Sequence, residues 1–264
     1  MQEIASPRNP LLKEIRKALA KGSLTSDGYA IAETFHLLEE ALRSDCAIGA
    51  VISAESVRGT VQRHVGNLNG LRIAVVPDAV FNDLASTESS QGVIALVKPH
   101  PWTLENLFRG RTLLVVLDGV QDPGNAGTIV RAAEAFGATG TLFLKGSVNP
   151  YNAKTLRASA GSLFRLPVVQ GVEPELVQAA FKQNRLDVYA AMPSARLRPE
   201  EVNFTRKSAI IVGSEGRGVS STLRKGAFDL AIPTVGVESL NAAVAASVLL
   251  YEASRQRRLA GGAA

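Results

Sequence analysis

The segment Leu113-Leu-Val-Val-Leu117-Asp118-Gly-Val-Gln-Asp122-Pro-Gly-Asn125-Ala-Gly-Thr-Ile-Val-Arg131 reads as one strand, one turn and one helix. Five consecutive aliphatic residues suit a strand buried on both faces, and such strands belong to parallel sheets wrapped by helices. Asp122-Pro-Gly makes the turn. Ala126 to Phe136, closed by Gly137, has the makings of a helix, with Asn125 at the cap position where its side chain can satisfy free backbone N–H groups. Arg131 then lies inside that helix, near the carboxyl end of a strand, where open parallel sheets place their ligands.

The same grammar repeats along the chain. Apolar runs at Thr141 to Leu144, Leu166 to Val169, Val188 to Met192, Ala209 to Val212 and Leu230 to Ile232 alternate with helical stretches, which predicts an α/β fold with a parallel sheet. Ahead of these, two prolines in Lys98-Pro-His-Pro-Trp102 interrupt the strand-like run ending at Val97 and mark a domain boundary, giving domains over residues 1–98 and 99–264. The first domain mixes helical patterns (Leu11 to Ala20, Ile31 to Arg43) with short β-rich runs (Ile48 to Ile52, Leu71 to Val76, Val93 to Val97), a small α/β module.

Two further segments share the polar, strand-terminal character of the first. Val212-Gly213-Ser-Glu215-Gly-Arg-Gly218 packs three glycines into six residues, so the backbone can approach a flat ligand closely. It is neither a dinucleotide fingerprint nor a P-loop, which leaves NAD and ATP without support. Ile232-Pro233-Thr-Val-Gly-Val-Glu-Ser239-Leu240-Asn241 leads from a strand into a long apolar helix. Each segment alone also reads as an ordinary cap or tight loop. Three of them, each at the end of an expected strand, point to one site.

The charge distribution fits a polyanionic partner. The net charge is +5 over 264 residues, yet residues 1–98 carry 10 Lys and Arg against 11 Asp and Glu, whereas residues 99–264 carry 19 against 13. A local cationic arm of Arg8, Lys13, Arg16, Lys17 and Lys21 opens the first part. Phosphate neutralisation by such residues is the sequence-independent part of RNA affinity. The single cysteine, Cys46, excludes an internal disulfide and a cysteine-rich zinc site and suits a reducing cytoplasm. His36, His64 and His100 show no ligand spacing, so no metal is expected. The longest apolar run, Ala242 to Tyr251, is about half the ~20 residues a membrane span needs, and the first residues lack the form of a signal peptide.

On these residues the chain resembles the SpoU (TrmH-like) family of RNA ribose 2′-O-methyltransferases, of the SPOUT class. One family motif is similar to Asp122-Pro-Gly-Asn125-Ala-Gly127-Thr-Ile-Val-Arg131, a second to Val212 through Gly218, and a third to Ile232-Pro233 with Ser239-Leu240-Asn241. Ser147 to Tyr151 and Arg157 to Ser162 are similar to the family's linking segment, and the likeness runs over roughly residues 110–258. The resemblance implies a catalytic domain with a deep trefoil knot, S-adenosylmethionine bound through backbone at Gly213, Ile232 and Leu240, and a homodimer. It also implies a small amino-terminal RNA-binding domain resembling a ribosomal protein, with ribosomal RNA favoured over transfer RNA. Glu33-Thr34 departs from the Glu-Gly found in many members, and Ala242 and Ala243 stand where relatives often carry Val and Ser.

The resemblance further implies catalytic roles for Arg131, Asn125, Glu215, Ser239 and Asn241. A guanidinium resists deprotonation in proteins, so Arg131 reads as the cation that holds a phosphate and stabilises a developing alkoxide rather than as the base. A transfer RNA enzyme and a non-catalytic RNA-binding protein that retains the fold are the alternative readings.

Overall fold

A computed structural model of the chain describes residues 1–66, 70–87 and 89–261. Two compact units emerge: Met1–Pro101 with Tyr151–Arg165, and Trp102–Pro150 with Leu166–Ala264. The segment 151–165, which the sequence places with the second half, packs within the first unit.

In the first unit the chain runs β1 (Gln2–Glu3), α1 (Pro10–Lys21), β2 (Ala30–Ala32), α2 (Phe35–Arg43), β3 (Ile48–Ala54), α3 (Arg58–Val65), β4 (Ile73–Val76), α4 (Asp78–Leu84) and β5 (Val93–Val97). The sheet order is β1-β4-β3-β5-β2, with β2 and β3 antiparallel to β5 and the other pairs parallel. Helix α1 begins where Asn9 accepts from the Leu11 amide and Pro10 takes the first turn, and its Leu12 and Ile15 join Ile52, Phe81 and Ile94 in the core. The helix expected from Ile31 to Arg43 is shorter. Ala30–Ala32 is a fully buried strand on β5, and the Thr34 hydroxyl, accepting from the Leu37 amide at 3.1 Å, starts the helix only at Phe35.

The segment 151–165 contributes α7 (Ala153–Ser159) and the buried side chains of Leu156, Leu163 and Phe164. Two buried carboxylates hold it. Arg157 donates to Glu33, which is 3% exposed and also accepts from the Ser86 amide at 2.7 Å, and Arg165 donates to Glu40. Burying an unpaired carboxylate is prohibitive, so these arginines are what permits acids there. Burial pulls the Glu40 carboxyl upward, yet Arg165 and Arg43 together hold it below the usual carboxylate range.

The second unit is a six-stranded, wholly parallel sheet in the order β11-β9-β10-β6-β7-β8. Its elements are α5 (Leu104–Leu107), β6 (Leu113–Asp118), α6 (Pro123–Ala135), β7 (Gly140–Leu144), β8 (Val168–Val172), α8 (Pro174–Gln183), β9 (Asp187–Ala191), β10 (Ser208–Gly213), α9 (Ser221–Arg224), β11 (Phe228–Leu230) and α10 (Ala242–Ala260). Every residue of β6 is buried, as its aliphatic run requires. The chain moves outward from β6 to β7 and β8, then returns to the other side for β9, β10 and β11. The direction therefore reverses between β6 and β10, and ligands of open parallel sheets bind at the carboxyl ends of strands at such a point. Among the described residues no helix is long and apolar enough to cross a membrane, and no group of three or more His, Cys, Asp and Glu is gathered as a metal site.

Candidate active site

Strands β6 and β10 pair in register with Gly213 opposite Asp118, so their loops leave the sheet side by side. The β10 loop is a tight hairpin. Gly218 donates to the Ser214 carbonyl at 2.8 Å and the Arg217 amide to Ser214 Oγ at 3.1 Å. Gly213 admits no side chain, since an added Cβ would sit 2.1 Å from the Gly218 carbonyl carbon, and Gly218 itself has φ +66°. The Asp118 carboxylate accepts from the Ser220 amide at 2.7 Å, tying the far end of the hairpin to the end of β6.

Helix α6 starts earlier than its apolar pattern indicates. Asp122, not Asn125, is the cap. Its carboxylate accepts from the Asn125 amide at 2.7 Å, and Pro123 occupies the first turn, where its missing N–H costs nothing. Asn125 is thereby released from capping and its side chain faces the hairpin, donating to Glu215 Oε1 at 2.8 Å. The third loop supplies the remaining corner. Asn241 Nδ2 donates to Asn125 Oδ1 at 3.0 Å and to Glu215 Oε1 at 3.2 Å. Its Oδ1 accepts from the Ala243 and Val244 amides at 2.9 and 3.3 Å, so the cap of α10 dictates which way the amide points. Ser239 leaves that cap to Asn241.

This double duty is testable by stability alone. Asn241→Ala is expected to cost about 1 kcal/mol in denaturant unfolding, the usual worth of such a cap. Asn241→Ser keeps a cap oxygen and should stay within roughly 0.5 kcal/mol of the native chain. Equal losses in the two variants would show that capping is not what Asn241 contributes.

Two clefts meet at the hairpin. One, of about 510 Å³, is floored by Val212, Leu230 and Leu249 and bordered by Gly213, Glu215, Ile232, Ser239, Leu240 and Asn241. The other, of about 490 Å³, opens between the β6 loop and the hairpin, with Asp118, Asn125, Lys145, Glu215 and Ser220 in its wall. Both fall within the roughly 300–1,000 Å³ typical of ligand sites. The three loops thus converge, and seven of the eight expected site residues line these clefts. Arg131 does not. It is exposed, six residues past Asn125 and so about 120° round α6. Lys145 and Ser220 join the lining although no motif in the sequence marks them. Lys145 follows β7 at the carboxyl end of a strand, a position that could have drawn attention to it.

The SpoU rRNA Methylase family model matches residues 112–251, the span that holds all three loops. This chain belongs to that family. A second model, the MRM3-like substrate binding domain, matches residues 9–95. Along the whole SpoU chain, a 23S rRNA (guanosine(2553)-2′-O)-methyltransferase of Bacillus subtilis is 32% identical over 253 residues, covering 95% of this chain and 98% of that protein. An uncharacterized tRNA/rRNA methyltransferase of Synechocystis is 34% identical over 264 residues, covering 96% and 94%. Among solved structures, the SpoU methyltransferase AviRb of Streptomyces viridochromogenes in complex with the cofactor AdoMet superposes with a TM-score of 0.85 at 25% identity, covering 95% of this chain and 98% of that one.

Proposed function

We propose that this protein transfers a methyl group from S-adenosylmethionine to a ribose 2′-hydroxyl of RNA, with 23S ribosomal RNA favoured over transfer RNA. The observation that carries this reading is the hydrogen-bonded triangle of Asn125, Glu215 and Asn241 between two ligand-sized clefts, in a chain of the SpoU family. S-adenosylmethionine supplies an electrophilic methyl group on a positively charged sulfur. The larger cleft suits it, because Val212, Leu230 and Leu249 offer an apolar surface for a flat base. Ile232 and Leu240 lie in irregular backbone outside the sheet ladder, where main-chain groups are available, and Gly213, Ile232 and Leu240 would hold the cofactor through them.

The acceptor ribose enters from the second cleft. Asn125, Glu215, Ser239 and Asn241 position it, and the work is mostly orientation. Alignment contributes ~7–11 kcal/mol in favourable cases, against ~10²–10⁴-fold in rate for a proton acceptor. Arg131 supplies a cation for a phosphate and the developing alkoxide.

Arg131 reaches a cleft if two copies associate through α6 and α10. Val244, Val248 and Tyr251 form an apolar line on one face of α10, 48%, 38% and 50% exposed, and Tyr251 meets Phe136 at the end of α6 edge-on at 5.8 Å. Thr128, Arg131 and Ala135 are the exposed line of α6 itself. An apolar stripe of this kind marks an association surface, and a self-complementary one yields a two-fold dimer. The proposal includes residues 1–98 as the RNA-binding part, residues 99–264 as the catalytic part, and a deep trefoil knot in the latter. Because 151–165 packs in the first unit, deleting residues 1–98 would uncover Leu156 and Phe164. Charge substitutions on α1 are the cleaner probe of the first part.

The purified protein with methyl-labelled cofactor and ribosomal RNA is expected to place label on one nucleotide and to protect the adjacent bond from alkaline cleavage. Absence of label from both ribosomal and transfer RNA would overturn the reading.

A further inference from the structure

The amino-terminal end of the second unit's sheet lies opposite the clefts, roughly 20 Å away along a six-residue strand such as β10. Arg257, in the last turn of α10, gathers the segments there. Its guanidinium donates to the carbonyls of Phe204, Arg111, Thr112 and Arg206 at 2.8, 2.5, 2.9 and 2.9 Å. It thereby ties the turn before β6 and the turn before β10 to the end of α10. The Asp187 amide, at the start of β9, donates to the Lys207 carbonyl at 2.9 Å and brings in a fourth segment.

The charge of this end is one-sided. Segments 109–112, 185–187, 205–207 and 257–258 hold seven Lys and Arg and a single acid, Asp187, which pairs with Arg206 at 3.2 Å. Arg109, Arg111, Arg185, Lys207 and Arg258 are exposed, and among the described residues none of the five has an ion-pair partner. The ends of α8 and α10 account for part of the charge, since a helix carboxyl end carries about half a negative charge. Two such ends offset about one of the cations, and Arg109, Arg111 and Lys207 sit on strand-leading turns instead. The Arg257 guanidinium itself is pushed down to about 10, mainly by burial and further by the charge of Arg111.

We infer that this end of the sheet is a second RNA-binding surface, which takes backbone phosphates of the substrate through Arg109, Arg111, Lys207 and Arg258 while the clefts hold the target nucleotide. The inference rests on the proposed RNA methyl transfer for the identity of the polyanion. Seven cations on several adjacent turns against one carboxylate, itself paired with Arg206, fit a phosphate backbone better than a mixed protein surface. A structured RNA of ribosomal size spans the separation between this surface and the clefts.

The test uses the full-length protein carrying Arg109→Gln, Arg111→Gln, Lys207→Gln and Arg258→Gln together, with Arg257 retained because it holds the fold. RNA affinity is titrated at several salt concentrations, beside methyl transfer under steady state. The expected result is at least tenfold weaker RNA binding and a log-affinity against log-salt slope shallower by about 2–4, near one unit for each phosphate contact removed. KM for RNA rises while kcat and cofactor affinity hold. The companion variant with Arg109→Lys, Arg111→Lys and Arg258→Lys keeps the charge and should bind RNA as the native chain does. Unchanged affinity and slope in the glutamine variant overturn this surface and leave the methyl transfer reading intact. Native protein that neither binds nor methylates RNA overturns both.

Discussion

Arg131→Ala is expected to lower methyl transfer to RNA by about 10²–10³-fold, the usual consequence of removing one preorganised charge from a developing oxyanion. Cofactor affinity should stay within about twofold. The side chain is exposed, so truncating it should change stability by no more than roughly 0.5 kcal/mol, and a loss of rate then reports on chemistry. The position of Arg131 outside both clefts sharpens the experiment. If the residue serves the cleft of a second copy, mixed dimers of Arg131→Ala and Glu215→Ala subunits regain turnover. One of their two sites then has every wild-type side chain, and about half the native activity per dimer returns. If it serves its own chain, both sites of the mixed dimer are crippled and nothing returns. Full activity of Arg131→Ala alone would remove the residue from the mechanism.

Gly213→Ala should be the most damaging single methyl group in the second unit. Its Cβ would lie 2.1 Å from the Gly218 carbonyl carbon and 2.3 Å from both the Gly218 oxygen and the Val219 nitrogen. These are backbone atoms of the hairpin closed by the Gly218 to Ser214 bond, and no side-chain rotation relieves the overlap. Overpacking of this kind costs roughly 1–3 kcal/mol, and opening the hairpin displaces the wall common to both clefts. The expected outcome is a lowered unfolding midpoint and a cofactor affinity reduced about ten- to hundredfold in a titration. Gly216, in the same hairpin, has no atom within 4 Å of an added Cβ. Gly216→Ala should therefore unfold within roughly 0.5 kcal/mol of the native chain. Should Gly213→Ala unfold and bind cofactor as the native chain does, the hairpin would not be the rigid partition described above.

Much of the architecture was legible because strands buried on two faces must be continuous aliphatic runs. Leu113 to Leu117 and Ala209 to Val212 are such runs, and each falls inside a strand of the parallel sheet. The short strand Ala30–Ala32 was not legible, since three apolar residues directly before a helix fit a helical face as well as a strand. The true start of α6 is encoded locally, one turn ahead of its apolar pattern. An acid followed by proline is the usual cap and first turn, and Asp122-Pro123 has that form.

By itself, the order of residues determined that three polar segments follow three strands, two of them buried along most or all of their length, and that a glycine-rich turn and two asparagines would sit in those segments. Those facts depend only on local periodicity and on what each side chain can bond. Only the tertiary structure decided that Asn125 and Asn241 converge on one oxygen of Glu215, across sequence separations of 90 and 26 residues. It also decided that Arg131 lies outside the lining of both clefts, and that Arg157 and Arg165 bind acids more than a hundred residues earlier in the chain. Such pairings are set by the register of strands and the path of the chain between them, and no local pattern encodes which distant partner a buried charge will meet.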